Sequence, residues 1–211
     1  NKLKPESEYI LTSVFLKGKI SKSEAMRITK TSDKTLKNLT RINGFWYHFI
    51  DPDSGKRGWS DSHNIELSNA STGTLLLGAL AAAEYFGEEI ETLTNELYRE
   101  MNWKWFTNPK TKHPYLACYP EDLPDKVPPG ITGEGMFGGW SAYAEHIFLY
   151  ILGAGSPNPD YSTGADSFYA MNTDNGSYKG DEFIICRTGA AFTYQRTHAF
   201  IDFRNLRDKL D

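Results

Sequence analysis

Thr74-Leu75-Leu76-Leu77-Gly78-Ala79-Leu80-Ala81-Ala82-Ala83 is apolar almost all round. A helix with no polar face has to be enclosed by other elements. The stretch therefore predicts a central helix over 69–87 and a helical fold built around it. Gly73, Gly78 and the alanines permit close approach by neighbouring helices, and Gly87 ends the element. Glu88 and Glu89 then favour the start of a second helix through its dipole. Leu93, Leu97, Met101 and Trp105 recur every four residues and define its buried face, to about Phe106.

Working outward, 7–17 and 22–42 read as helices. Ser21 or Ser23 can cap the second, Ile28, Leu36, Leu39 and Ile42 give it a partial apolar stripe, and Asn43-Gly44 reads as its stop. Residues 45–63 form a loop of aromatics, Asp and Gly. Residues 107–139 form another, carrying prolines at 109, 114, 120, 124, 128 and 129. A loop that long within a domain points to a functional surface. Helices are predicted again over 140–154 and about 162–171. A Gly/Asp-rich loop and a strand-like piece, Phe183-Ile184-Ile185-Cys186, follow, and the last helix starts near Thr197. Long helices alternating with aromatic, Gly-rich loops predict helical hairpins with a ligand face at one end. No fixed repeat of 20–50 residues is evident, which argues against a regular solenoid.

At 211 residues the chain fits one domain, 1–211, with room for a sizeable core. Its net charge is −4 and no Lys/Arg run is dense enough to follow a phosphate backbone, which argues against nucleic acid as the main partner. No segment is apolar for 18 residues, so no membrane span is expected. The chain opens at Asn1 without Met or a hydrophobic signal, which reads as a mature or trimmed product. Cys118 and Cys186 match no metal spacing; a disulfide, two free thiols or apolar packing all remain open. HExxH, GxSxG and P-loop patterns are lacking, so no metal or cofactor is expected.

Aromatics are the outlier, with 12 Phe, 12 Tyr and 5 Trp. Trp46, Tyr47, Trp59 and Trp140 lie beside Gly and Asp outside helix interiors, where aromatic rings can stack on apolar sugar faces. The end of the chain, Phe192-Thr193-Tyr194-Gln195-Arg196-Thr197-His198-Ala199-Phe200-Ile201-Asp202-Phe203-Arg204, concentrates hydrogen-bonding groups that are costly to bury without partners. A ligand rich in hydroxyls answers that, most simply a carbohydrate; a helix start whose polar groups satisfy one another is the alternative. Glycoside hydrolysis commonly uses two carboxyls, one protonated and one acting as base or nucleophile. Glu145 meets the first requirement best, because it follows Trp140-Ser141-Ala142-Tyr143-Ala144 and opens an apolar helix; its alternative is a first-turn Glu favoured by the helix dipole. Glu66 and Asp61, entering the central helix, are a second carboxylate or holders of sugar hydroxyls, or else a cap and a turn residue. His48 and His198 can donate to sugar oxygens, or serve as structural hydrogen-bonders.

Together these segments resemble the bacterial glycoamylase-like family, which includes endo-β-1,2-glucanases and the hydrolase-like domain of cyclic β-1,2-glucan synthases. The matching stretches are Gly44-Phe45-Trp46-Tyr47-His48-Phe49-Ile50-Asp51, the helix over 72–86, Leu97-Tyr98 with Trp103-Lys104-Trp105, Tyr143-Ala144-Glu145 with 149–157, and 192–204. The resemblance implies an (α/α)6 toroid of helical hairpins with a substrate cleft at one end. It also implies a glycosidase acting on an oligo- or polysaccharide, β-1,2-glucan being one attested class, in a bacterial periplasmic or secreted setting. Glu145 lies where the family has a conspicuous cleft glutamate, Tyr143 stands beside it, and Gln195, His198 and Asp202 fall in the terminal motif near the cleft. Two departures stand out. The family commonly reads Glu-x-Ser-x-Ile-Asp-Thr before the central helix, whereas Glu66-Leu67-Ser68-Asn69-Ala70-Ser71-Thr72 holds Ser71 at the aspartate position, and serine cannot serve as a carboxylate base. Arg196-Thr197 replaces the usual Tyr-Ser before the histidine. The family's toroid is also about twice this long. About half of it is expected here, as part of a larger protein or closed by self-association.

Overall fold

The computed structural model describes residues 18–58, 65–120 and 135–207; the helix read over 7–17 lies outside them. The central helix is present. It is α2 once α1 (Lys22–Asn38) is counted, and it runs Asn69–Phe86. Ser68 caps it by accepting the Ser71 N–H, and Gly87 closes it at φ 69°. As an all-apolar cylinder demands, α2 is enclosed: Leu76, Ala79 and Ala82 have no exposure. Gly73 allows the closest approach, since a Cβ there would lie 2.7 Å from the Phe148 ring and 3.0 Å from Leu149. Those two residues belong to α4 (Ile147–Ala154) and are buried with it.

α3 (Glu88–Glu100) turns back along α2 and also packs on α1. Its inner side buries Ile90, Thr94, Leu97 and Tyr98; Met101 lies just beyond its end and Trp105 in the irregular turn that follows, because the helix stops six residues before Phe106. Lys30 and Lys34 pair with Glu89, Lys37 with Glu96 (2.5 Å) and Arg41 with Glu100 (2.8 Å), lacing α1 and its exit to α3. The lysine pairs are exposed, so they fix alignment more than they stabilise, while Arg41 is partly buried.

The fold is mainly helical but not all-α, because three two-stranded antiparallel hairpins interleave with the described helices. Asn43-Gly44 is not a helix stop. α1 ends at Asn38, and Asn43 (φ 50°) and Gly44 (φ 86°) form the turn joining β1 (Arg41–Ile42) to β2 (Phe45–Trp46). An Asn-Gly pair with both φ positive is the favoured two-residue hairpin turn. β3 (Ala117–Cys118) pairs with β4 (Met136–Phe137) inside the long proline-rich segment. β5 (Asp174–Tyr178) pairs with β6 (Asp181–Ile185) around Lys179-Gly180, so the strand-like piece has a polar partner strand where a Gly/Asp-rich loop is expected. α4 begins at Ile147 rather than 140, since Asn172 pairs with the backbone of Ser141 and Tyr143 and holds that segment extended. α5 is the short Asp166–Tyr169 turn within the expected 162–171. α6 (Phe192–His198) starts five residues before Thr197. No described helix is long and apolar enough to cross a membrane.

A Cβ at Gly44 would lie 2.5 Å from the Glu100 carbonyl oxygen and 2.6 Å from the Met101 Cα, at a φ that side chains rarely adopt. Gly44→Ala is therefore expected to lower stability in denaturant unfolding by about 2–4 kcal/mol. Gly139→Ala, with nothing nearer than 3.8 Å, changes it by less than about 0.5 kcal/mol.

Candidate functional site

Two clusters of polar and aromatic side chains form around the entry to α2 and the segment before α4. The first is built on 140–146. Tyr150 donates its hydroxyl to the Trp140 carbonyl (2.5 Å), Asn172 N–H donates to the Ser141 carbonyl (2.7 Å), and the Thr197 hydroxyl donates to the Glu145 carbonyl (2.9 Å). α6 thus fixes the backbone that carries Glu145, whose side chain is half-buried. Glu145 precedes His146, the N-cap of α4, so it is not the first-turn residue that the dipole reading requires.

In the same segment the Tyr143 hydroxyl lies 3.5 Å from His198 Nε2, and the Tyr143 ring packs 5.8 Å from Tyr194. The Tyr194 hydroxyl accepts the Cys186 N–H (2.5 Å). Burial raises the Tyr143 phenol, with Tyr194 and Cys186 adding to it, so this group stays a proton donor. Burial also pushes the Cys186 thiol up, and the Glu145 charge adds to that. The Thr188 and Thr193 hydroxyls outweigh both and leave the thiol below its ordinary value. Both cysteines are buried.

Trp140 is the best-anchored aromatic of this cluster. Its indole N–H donates to Asn69 Oδ1 (3.2 Å), and Asn69 in turn donates to the Tyr115 carbonyl (2.7 Å). Its ring rests 4.5 Å from that of His146. Burial pushes the His146 imidazole down to about 4, against a contact with the Ala142 carbonyl, so the ring is neutral at neutral pH. Trp140 itself remains half-buried.

The second cluster is centred on an ion pair, His48 Nδ1 to Glu66 Oε1 at 2.7 Å. The backbone sets it up, because the His48 N–H donates to the Glu66 carbonyl (2.9 Å) and Tyr47 bridges Leu67. Burial works to raise the Glu66 carboxyl, but the His48 bond and the His48 and Arg57 charges outweigh it and hold the carboxyl below its usual value. The same bond raises His48. Arg57 lies over the Tyr47 ring at 5.7 Å, and the Tyr119 phenol is raised by burial and then by Glu66.

Other expected residues have different settings. Trp46 is 4% exposed, with its indole N–H on the Leu36 carbonyl and its backbone N–H on Thr72, and Tyr47 is 3% exposed; both are core residues. Gln195, His198 and Asp202 are exposed, Asp202 gripping Arg204 (2.7 and 2.8 Å). Trp59 and Asp61 lie outside the described residues. Ser71 is absorbed into the α2 cap, accepting from the Ser68 hydroxyl at 3.1 Å. Arg196 reaches from α6 to the Thr74 hydroxyl (2.7 Å) and lies over Phe148, which gives the departure at this position a structural task. Sequence reasoning missed Asn69, Arg57, Tyr119, His146 and Cys186. Only Asn69 carried a signal, as a polar residue at the mouth of an apolar helix. Among the described residues no three His, Cys, Asp or Glu side chains gather to hold a metal ion.

The His48–Glu66 pair is complete between pH 4.5 and 6.5, the ordinary values of the two groups. Its contribution fades as pH rises through the raised His48 value and as pH falls through the depressed Glu66 value. An NMR titration of His48 is expected to give a midpoint above 6.5, returning toward 6.5 in Glu66→Gln. A midpoint at or below 6.5 in the intact chain contradicts the pairing.

The family model "Glycoamylase", described as "Putative glucoamylase", matches residues 138–211, which hold the Glu145 cluster. No curated protein sequence matches the chain. An endo-β-1,2-glucanase from Chitinophaga pinensis, solved with sophorotriose and glucose, is similar at TM-score 0.67 and 19% identity, over 86% of this chain and 43% of that one. A Bacteroides uniformis protein described as a "putative glucoamylase" is similar at TM-score 0.76 and 20% identity, over 98% and 52%. A β-1,2-glucanase from Parabacteroides distasonis is similar at TM-score 0.62 and 20% identity, over 80% and 24%. The chain spans about half or less of the length of these structures. The resemblance to the glycoamylase-like family thus stands on the family model at the C-terminal end and on a shared fold along the described chain.

Proposed function

We propose that this chain is about half of an (α/α)6 toroid and acts as a glycoside hydrolase on a glucan, with Glu145 as general acid. The observation that carries this reading is that α6 holds the Glu145 backbone through Thr197 and ends at His198, which lies 3.5 Å from the Tyr143 hydroxyl two residues before Glu145, all within the stretch matched by the family model. Glu145 donates a proton to the glycosidic oxygen, Tyr143 and His198 hold sugar hydroxyls, and Trp140 offers a held ring to the apolar face of a pyranose.

The partner role needs an ionised carboxylate, which activates water or attacks the anomeric carbon. Glu66 suits it by its depressed carboxyl, and His48 holds it in that state. Inversion calls for roughly 6.5–9.5 Å between the two carboxyls and retention for roughly 5–5.5 Å. β-1,2-Linkage is the substrate reading that two of the similar structures support by their descriptions, and a periplasmic or secreted setting goes with such a polymer.

A second reading, a non-catalytic glucan-binding protein, draws on Ser71, whose hydroxyl is committed to the α2 cap at the position where the family resemblance implies an aspartate. Chromatography of products from β-1,2-, β-1,3-, β-1,4- and α-1,4-glucans separates the two. The hydrolase reading expects oligosaccharides from one linkage, and a loss of about 10²–10⁴-fold in Glu145→Gln. Full activity in that variant rules out the acid assignment. Binding of a glucan without any product, in the intact chain, favours the second reading.

A further inference from the structure

We infer that the β5–β6 hairpin is a carbohydrate-binding arm that extends the Glu145 site along the glucan chain, with Phe183 and Tyr178 as its stacking rings. This rests on the reading of the Glu145 cluster as a glucan site.

Both legs of the hairpin are rooted in that cluster. Before β5, Asn172 donates to the Ser141 carbonyl (2.7 Å) and its carbonyl accepts the Tyr143 N–H (3.1 Å), two residues from Glu145. After β6, the Cys186 N–H donates to the Tyr194 hydroxyl, and the Tyr194 ring packs on Tyr143. Arg187 closes the base through Asp174 (2.6 Å). The hairpin therefore leaves the site and returns to it.

Its exposed surface has the chemistry of a sugar platform. Residues opposite one another in an antiparallel pair share a face, so the pairs Gly176–Phe183 and Tyr178–Asp181 stand on the same side. A Cβ at Gly176 would meet Ile185 at 2.7 Å, so the missing side chain makes room for Ile185, while the Phe183 ring stands at ordinary contact distance, 3.5 Å, beside it. Phe183 keeps 45% exposure there, and Tyr178 keeps 66%. Lys179 lies 5.3 Å from the Tyr178 ring and steadies it. Asp181 beside them on the same face supplies an acceptor for hydroxyls. A pyranose offers an apolar C–H face and a hydroxyl rim, which this alternation matches better than a purely apolar partner does. Continuity with the Glu145 cluster makes the occupant the same polymer rather than a separate ligand.

The test compares the intact chain with the double variant Tyr178→Ala/Phe183→Ala on a β-1,2-linked trisaccharide and a decasaccharide. The arm predicts that KM for the decasaccharide rises about tenfold relative to KM for the trisaccharide. Phe183→Tyr, which keeps a ring over Gly176, retains the original ratio. An unchanged ratio in the double variant, while Glu145→Gln still abolishes cleavage, overturns the arm and leaves the Glu145 reading intact. An intact chain that neither cleaves nor binds either oligosaccharide overturns both. A dimer in sedimentation that the double variant dissociates makes this face a self-association surface and also overturns the arm.

Discussion

The enclosure of α2 is the constraint on which the rest depends. Leu75, Leu76, Leu77, Ala79, Ala82 and Ala83 are buried along most of its length, with Glu84 and Tyr85 exposed near its end. α3 and α4 enclose it, β2 lies across its start, and Gly73 sets how near α4 comes. Its N-terminal turn is then brought to one end of the molecule, where Ser68, Asn69 and Thr74 reach three different partners. The site elements are those that lean on this end: the Glu66 segment, the Trp140 segment and α6.

Around that end the protein keeps its carboxylates in different surroundings. Glu66 stands against His48, whose imidazole the same contact raises, and within the field of Arg57. Glu145 stands among phenols and a buried thiol, its backbone held by Thr197. Trp140 is tied through its ring nitrogen, leaving the ring to act as a surface. His146 beneath it stays neutral because burial disfavours its charge.

Much of the helical frame was legible. The run at 74–83 located α2 to within a residue, Gly87 marked its end, and Leu97 and Met101 pointed to the buried side of α3. The hairpins were not legible, each for a local reason. Asn-Gly serves a helix end or a hairpin turn, and only the closeness of Gly44 to the end of α3 decides between them. Asp174-Asn175-Gly176-Ser177 lacks the β-branched residues that mark a strand, so β5 exists through its pairing with β6. In the site, the stretch at 192–204 signalled polar chemistry, but its contacts are distant in sequence: Tyr143 meets His198, and Arg196 meets Thr74. Trp46 read as a sugar ring and is a core residue, because an aromatic beside glycine has the same sequence signature in either role.

The central claim is that Glu145, Tyr143 and His198 act together on a glycosidic bond. A crystal structure of the Glu145→Gln chain with a β-1,2-linked oligosaccharide tests it most directly. The account predicts a glycosidic oxygen within about 2.6–3.2 Å of the residue-145 side chain, with Tyr143 and His198 on flanking hydroxyls and a pyranose face on Trp140. An oligosaccharide bound elsewhere, with residue 145 facing no glycosidic oxygen, would contradict it.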